Sequence, residues 1–163
     1  MTIDTRELRD TLGQFATGVC LVTVSTEDGR SLALTINSFA SVSLAPALVL
    51  WSLQCNSDTY SEFAQAQEYA INVLSGAQEA HSNRYATKDG HLLDPAHYTI
   101  GANGAPIITD ALAVFECSRE AVHPGGDHVI IVGEVTRFWR AETGAPLLFF
   151  GGAYRQLHSG DAL

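Results

Sequence analysis

From residue 31 to residue 57 the chain reads SLALTINSFASVSLAPALVLWSLQCNS. No side chain in these twenty-seven residues is charged, yet Thr35, Asn37, Ser38, Ser41, Ser43, Ser52, Gln54, Asn56 and Ser57 are threaded through them. A run this apolar belongs mostly in an interior, where a hydroxyl or amide without a partner costs about 1–3 kcal/mol. Backbone groups satisfy some of these side chains. A dense set of small neutral donors and acceptors on apolar strands also suits a flat polar heterocycle.

The flanks of the run set the architecture. Asp4 followed by Glu7 resembles a capping arrangement, and Leu8, Leu12 and Phe15 recur at helical spacing, so residues 5–15 read as an amphipathic helix ended by Gly18. Val19–Ser25 is β-branched and aliphatic, Glu27-Asp28-Gly29-Arg30 is a turn, and Leu32–Ile36 resumes the extended pattern, which together make a hairpin. Pro46 opens a strand over Ala47–Leu53. Asp58–Gln67 reads as a helix with Ser57 or Thr59 at its start, and Tyr69–Leu74 as a strand. Ser75 caps a second helix over Gly76–Ala86, with Glu79 one residue beyond capping-box spacing. Thr87–Pro106 is a long loop rich in Gly, His, Asn and Pro, of the kind that often carries function.

From Ala111 onward strands dominate: Ala113–Val122, a turn at His123-Pro124-Gly125-Gly126, Asp127–Trp139, and Pro146–Phe150 before Gly151-Gly152. Many strands, few helices and antiparallel hairpins predict a mainly β fold, a closed or partly closed barrel with peripheral helices. The 163 residues are read as one domain, 1–163, without internal repeat or linker.

Composition narrows the function. Hydrophobic residues make up 46% and charged residues 17%, a globular balance whose low charge fits surface hidden in an oligomer. Nine basic against eighteen acidic residues give a net charge of −9, and Lys88 is the single lysine, which argues against nucleic-acid binding. The N-terminal MTIDTRELRD has no apolar targeting core and Ala45–Leu53 is too short for a membrane span, so a soluble cytoplasmic protein is expected. Cys20, Cys55 and Cys117 form neither a disulfide framework nor a CxxC pair and read as small core residues, Cys55 being the one nearest a ligand. His81, His91, His97, His123 and His158 show no metal-ligand spacing, and no GxSxG elbow, P-loop or GxGxxG follows a strand.

Three segments stand out as candidate sites, each with a plainer alternative. Thr35–Leu44 presents hydroxyls on one side of a strand, or else is barrel core whose hydroxyls bond to loops. Asn56-Ser57-Asp58-Thr59-Tyr60 lies where a strand yields to a helix, which makes it a phosphate cradle or an ordinary helix cap. Gly125-Gly126-Asp127-His128 delivers an Asp and a His to a strand end where a barrel mouth opens, or is a surface turn.

Six pieces, in order, carry a resemblance. Phe15-Ala16-Thr17-Gly18-Val19, Thr35-Ile36-Asn37-Ser38-Phe39, Ser41-Val42-Ser43-Leu44, Ala70-Ile71-Asn72-Val73-Leu74, Ser82-Asn83-Arg84-Tyr85-Ala86 and Gly126-Asp127-His128 resemble the short-chain flavin reductase family over about residues 11–157. The resemblance implies an antiparallel split β-barrel of the FMN-binding type and a homodimer. It also implies an NAD(P)H:flavin oxidoreductase that supplies reduced flavin to a partner monooxygenase. FMN or FAD and NADH are the implied cofactors, with NADPH the second candidate for hydride donor.

By the same resemblance Thr35, Asn37, Ser38, Ser41, Val42 and Ser43 contact the flavin ring and ribityl chain. Ser52, Leu53, Ser57 and Thr59 lead to the phosphate. Asn83 and Arg84 approach the flavin tail, Arg84 supplying a cation that Gln54-Cys55-Asn56 lacks, and Tyr154 is a further contact. Asp127 and His128, as catalytic residues, lie where the nicotinamide stacks. The competing reading is a non-catalytic flavin or haem carrier on the same barrel, distinguished by tight colour and inertness to NADH. A pyridoxamine-phosphate oxidase-like enzyme is a further rival, but the chain offers no basic cluster for a phosphorylated substrate.

Overall fold

The computed structural model describes residues 3–157; His158 lies outside them. Its helices are α1 (Thr5–Leu12), α2 (Tyr60–Gln65) and α3 (Glu79–Ala86). Its strands are β1 (Thr17–Gly18), β2 (Cys20–Ser25), β3 (Ser31–Ile36), β4 (Ala40–Leu44), β5 (Ala47–Gln54), β6 (Glu68–Val73), β7 (Tyr98–Ile100), β8 (Pro106–Ile108), β9 (Ala113–Gly125), β10 (His128–Arg140), β11 (Leu148–Phe150) and β12 (Ala153–Arg155).

Seven strands pair in the order β3-β2-β6-β9-β10-β5-β4, every neighbouring pair antiparallel. Laid flat, six spacings of about 4.8 Å would hold the two edges roughly 29 Å apart. The edges are β3 and β4, joined by only Asn37, Ser38 and Phe39, and the chain from Ile36 to Ala40 reaches at most about 14 Å. The sheet therefore curls until its edges meet. No ladder pairs β3 with β4 among the described residues, so the barrel is split along that seam. One residue of the uncharged run ties the seam: Ser38 Oγ accepts from the Ser52 amide at 2.9 Å and donates to the Ser52 carbonyl at 3.4 Å.

Burial on both faces explains why β2 reads as a continuous apolar run. Cys20, Val22 and Val24 point into the bore with Leu32, Ile36, Trp51, Leu53, Tyr69, Ile71, Cys117 and Ile131. Phe63 of α2 joins them and meets Trp51 edge-on at 6.1 Å. Val19 and Leu21 face outward under a second layer that includes Tyr85 of α3, Leu93, Ile108 and Leu147. Burying a Val or Leu side chain stabilises by about 1.5–3 kcal/mol, so β2, apolar on both sides, anchors both layers. The fully buried Asn72 has its amide spent within the outer layer. Its Nδ2 donates to the Leu21 carbonyl and Thr23 Oγ1 at 3.1 and 3.0 Å, and its Oδ1 accepts from the Ile108 amide at 2.9 Å. A small sheet of β1, β11 and β12 and a two-stranded one of β7 and β8 are the other sheets among the described residues.

Several sequence expectations shift. The first helix stops at Leu12 and is capped by Gly13 rather than Gly18, because glycine holds a helical turn poorly; Asp4 does cap it, accepting from the Arg6 and Glu7 amides. The Thr35–Leu44 stretch is not one strand but breaks at Asn37–Phe39 where the chain crosses the seam. The run is not buried throughout, since Leu44 is 94% exposed and Val42 49% on the edge strand β4. Ser75 closes its capping box with Gln78, not Glu79, because the first turn is a 3₁₀ helix, Gly76–Gln78. The 87–106 segment is not all loop, since it holds a 3₁₀ turn at Pro95–His97 and β7. The 123–126 turn lies two residues later: His123-Pro124-Gly125 stays paired and the reversal falls on Gly126 and Asp127, Gly126 taking φ +76°. Cys55 is exposed rather than core, whereas burial pushes the Cys20 and Cys117 thiols up to about 12.

Candidate functional site

The split seam opens as a groove. Beyond Leu50, β5 no longer pairs with β4, and Trp51–Gln54 continues along the seam with β3 on its other side. A cavity of about 450 Å³ follows this gap, lined by Leu34, Thr35, Ile36, Asn37, Ser38, Ser52, Gln54, Asn56, Ser57, Asp58, Ala86, Lys88, His91 and His128. The Ser38–Ser52 bond marks one end, and the antiparallel run of the two strands carries the groove toward Leu34 on one wall and Gln54 on the other.

The wall near Ser38 is neutral. Thr35, Asn37, Ser38, Ser52 and Gln54 offer hydroxyls and amides without a charge, over the apolar Leu34 and Ile36. Thr35 Oγ1 donates to the Ser82 carbonyl at 2.8 Å, and Ser82 Oγ lies 2.7 Å from the Tyr154 hydroxyl. This chain fixes α3 against β3, so Tyr154 stands behind the groove rather than in it. The opposite end is where charge collects: Asp58 and Lys88 face the same cavity, beside Asn56 and Ser57. Ser57 Oγ and Thr59 Oγ1 are 3.3 Å apart, and the Thr59 amide donates to Ser57 Oγ at 3.4 Å. Thr59 itself makes no side-chain cap to α2.

His128 enters from the third side. It pairs with Gln54 across β10 and β5, and its position follows directly from the Gly126-Asp127 reversal, whose Asp127 carbonyl accepts from the Cys55 amide at 2.9 Å. His128 Nδ1 lies 2.7 Å from Asp127 Oδ1. The hydrogen bond to His128, aided by its charge, holds the exposed Asp127 carboxyl below the usual carboxylate range. An ionised Asp127 keeps a proton on Nδ1 and leaves Nε2 as the ring's other functional nitrogen.

Of the residues singled out in the sequence, Thr35, Asn37, Ser38, Ser52, Ser57 and His128 line this one cavity. Leu53 is buried in the bore, and Thr59 lies just behind Ser57. Ser41, Val42 and Ser43 sit on β4, Ser41 and Val42 exposed and Ser43 half-buried. Asn83 and Arg84 are exposed on α3, and Arg84 is engaged elsewhere: its Nη1 meets Asp94 Oδ2 at 2.9 Å and its guanidinium lies over the Tyr85 ring. Lys88 and His91 line the groove and went unnoticed as site residues. Lys88's being the one lysine of a strongly acidic chain was the available signal. His91 is held by its Nδ1, 3.1 Å from the Ala33 carbonyl. Among the described residues no three His, Cys, Asp or Glu side chains are grouped to hold a metal ion, and no helix is long and apolar enough to cross a membrane.

Comparison with known proteins adds identity to this geometry. Residues 12–158 match the model of the flavin reductase like domain. An FMN reductase (NADH) of Agrobacterium fabrum is 46% identical over 151 residues, which span 93% of this chain and 85% of that protein. The reductase component of a flavin-dependent trigonelline monooxygenase from Acinetobacter baylyi is 41% identical over 91% of this chain and 48% of its own length. Among solved structures, an NADH:FAD oxidoreductase of Streptomyces globisporus, in complex with NAD and FAD fragments, superposes with a TM-score of 0.89. It is 32% identical and covers 98% of both chains.

Proposed function

We infer the activity from membership: this chain belongs to the flavin reductase like domain family, and it is an NAD(P)H-dependent flavin reductase that supplies reduced flavin to a partner monooxygenase. Its fold is the antiparallel split barrel of that family. The observation that carries the reading to this chain's own residues is the seam groove, neutral along Thr35–Ser38 and Ser52–Gln54 and charged only toward Asp58 and Lys88. That donor set fits a flavin, whose ring is flat and neutral and whose phosphate lies at the far end of a polyol chain. Bound there, flavin accepts the hydride of NADH, two electrons with one proton, and a second proton comes from solvent.

The residues divide the work as follows. Thr35, Asn37 and Ser38, with Ser41, Val42 and Ser43 at the seam's outer lip, receive the ring and ribityl chain. Ser52 and the Leu53 backbone continue the wall toward Ser57 and Thr59 at the phosphate end. Neutral donors along the ring's edge favour the negative charge that grows there during hydride transfer without holding the oxidised ring too tightly to release. Asp127 orients His128, and His128 positions the nicotinamide at the groove's open side. Ser82 and Tyr154 hold α3 against β3, so Asn83 and Arg84 flank the site from the helix.

The working unit in this reading is a cytoplasmic homodimer. Leu44 and Val42 on β4, and Leu12 and Phe15 beside α1, are exposed apolar side chains, and a second copy covering β4 completes the groove's outer lip. The test is flavin-dependent NADH oxidation with FMN, FAD and riboflavin under anaerobic conditions. NADH loss that requires free flavin is expected; absence of turnover with all three flavins overturns the reading.

A further inference from the structure

We propose that Lys88, presented by a built turn at the end of α3, is the cation that holds the phosphate of the bound flavin. The proposal rests on the flavin-reductase reading above and moves to Lys88 a role that the family resemblance implies for Arg84. Three independent observations carry it.

The first is placement. Among the described residues Lys88 is the one Lys or Arg that lines the groove, which Asn56, Ser57 and Asp58 also line. Register puts it there. His91 is tied to β3 at Ala33, whose amide donates to the His91 carbonyl at 2.9 Å, and Leu92 bridges Leu32. Across the seam the wall opposite that part of β3 is the end of β5 and the Asn56–Asp58 segment. Lys88 therefore faces the phosphate end, not the ring end.

The second is the state of the competing cation. Arg84 is held by Asp94 at 2.9 Å and stacked over Tyr85. Turning it to the groove would break both contacts and leave the Asp94 carboxylate only the Ala96 amide as partner. Among the described residues Lys88 enters into no ion pair.

The third is the turn itself. Thr87 leaves the helix in an extended conformation, and its Oγ1 donates to the Arg84 carbonyl at 2.8 Å. The Gly90 amide donates to the Thr87 carbonyl at 3.1 Å, closing a turn with Lys88 and Asp89 at its centre. Asp89 takes φ +62°, a left-handed conformation that costs a non-glycine residue free energy and that Asp tolerates better than most. Gly90 admits no side chain, because a Cβ there would drive into Thr87 Oγ1 and the Arg84 carbonyl. The turn is thus clamped to α3 at one end and to β3 at the other. A lysine with a flexible stem on a fixed backbone is suited to a phosphate, which it meets as a compact charge.

Electrostatics gives the need. A phosphate entering a chain of net charge −9, beside Asp58, meets repulsion that hydroxyls of Ser57 and Thr59 only partly offset. One ammonium at that end cancels the charge of Asp58 and leaves the phosphate a cation to meet.

The experiment measures dissociation constants of FMN, FAD and riboflavin by fluorescence titration for the parent and for Lys88→Ala, Lys88→Arg, Gly90→Ala and Arg84→Ala. The expected result is an FMN constant raised at least about tenfold in K88A, with riboflavin changed less than about twofold and much of the loss restored in K88R. FAD distinguishes the source of phosphate: a loss as large as for FMN means that the proximal phosphate is the one held. G90A is expected to repeat the pattern of K88A, because it displaces the turn. An FMN constant unchanged in K88A, an equal loss for riboflavin, or a phosphate-dependent loss in R84A instead overturns the assignment. Failure of the parent to bind or reduce any flavin, riboflavin included, overturns the flavin-site reading beneath it.

Discussion

Gly133→Ala probes the barrel bore with a single methyl group. Gly133 lies on β10 where a bulge between Val132 and Gly133 shifts the pairing with β9. A Cβ built there would overlap Tyr69 Oη and come within 2.8 Å of Tyr69 Cζ and 3.2 Å of Cys117 Cβ. None of these groups can easily retreat, because Tyr69 is 1% exposed and packed edge-on against Trp51 at 6.0 Å. Overpacking of this kind costs about 1–3 kcal/mol, which for a chain of this size lowers Tm by roughly 2–12 °C. The Tyr69 hydroxyl is buried without a hydrogen-bond partner, so Tyr69→Phe alone is expected to change stability by less than about 0.5 kcal/mol or to raise it. In the double variant the worst contact disappears while the ring contact remains, and about half the loss returns. Urea unfolding followed by tryptophan fluorescence reads all four proteins, with a coupling of about 1 kcal/mol expected in the cycle. A G133A protein that unfolds at the parent's midpoint, or strict additivity in the cycle, refutes the packing argument.

The remaining predictions concern the site and its surroundings. His128→Ala lowers kcat/KM for NADH by about 10- to 100-fold while the FMN dissociation constant moves less than about twofold; an equal loss in both would remove His128 from the nicotinamide side. His81 stacks on His97 at 4.1 Å, and burial first, then the neighbouring His97 and Arg84, push its pKa below the ordinary value, Asp94 opposing them. The folded state thus binds this proton less readily than the unfolded chain, so the stability tied to neutral His81 is present above about pH 6.5 and lost as pH falls below it. His81→Gln should therefore lose less Tm than the parent between pH 7.5 and 5.5; parallel pH profiles would contradict this.

How much of this could be read from the sequence differs by element, for physical reasons. The hairpin of β2 and β3 is legible because Glu27-Asp28-Gly29-Arg30 and the alternation on either side are local, and Gly29 takes the positive φ that its place demands. Thr35, Asn37, Ser38 and Ser52 stand out because neutral polar groups in a charge-free run need partners, and the Ser38 hydroxyl does find one in the Ser52 backbone. The exposure of β4 was not legible, since apolar patterning says that a strand seeks cover without saying whose. Lys88 was missed because its place depends on the bond between Ala33 and His91 and on a left-handed Asp89, neither of which leaves a periodic trace. The ion pair that holds Arg84 likewise depends on Asp94, ten residues away across an irregular turn.

The account turns on one claim, that the open seam between β3 and β5 is where the flavin lies. A crystal structure of the protein with FMN tests it most directly. The ring is predicted against Thr35–Ser38 and Ser52, with the phosphate between Ser57 and Lys88 and the nicotinamide side open toward His128. FMN found instead in the other large cavity, about 640 Å³ between Trp139, Pro146 and Leu157, with the seam empty, would contradict it.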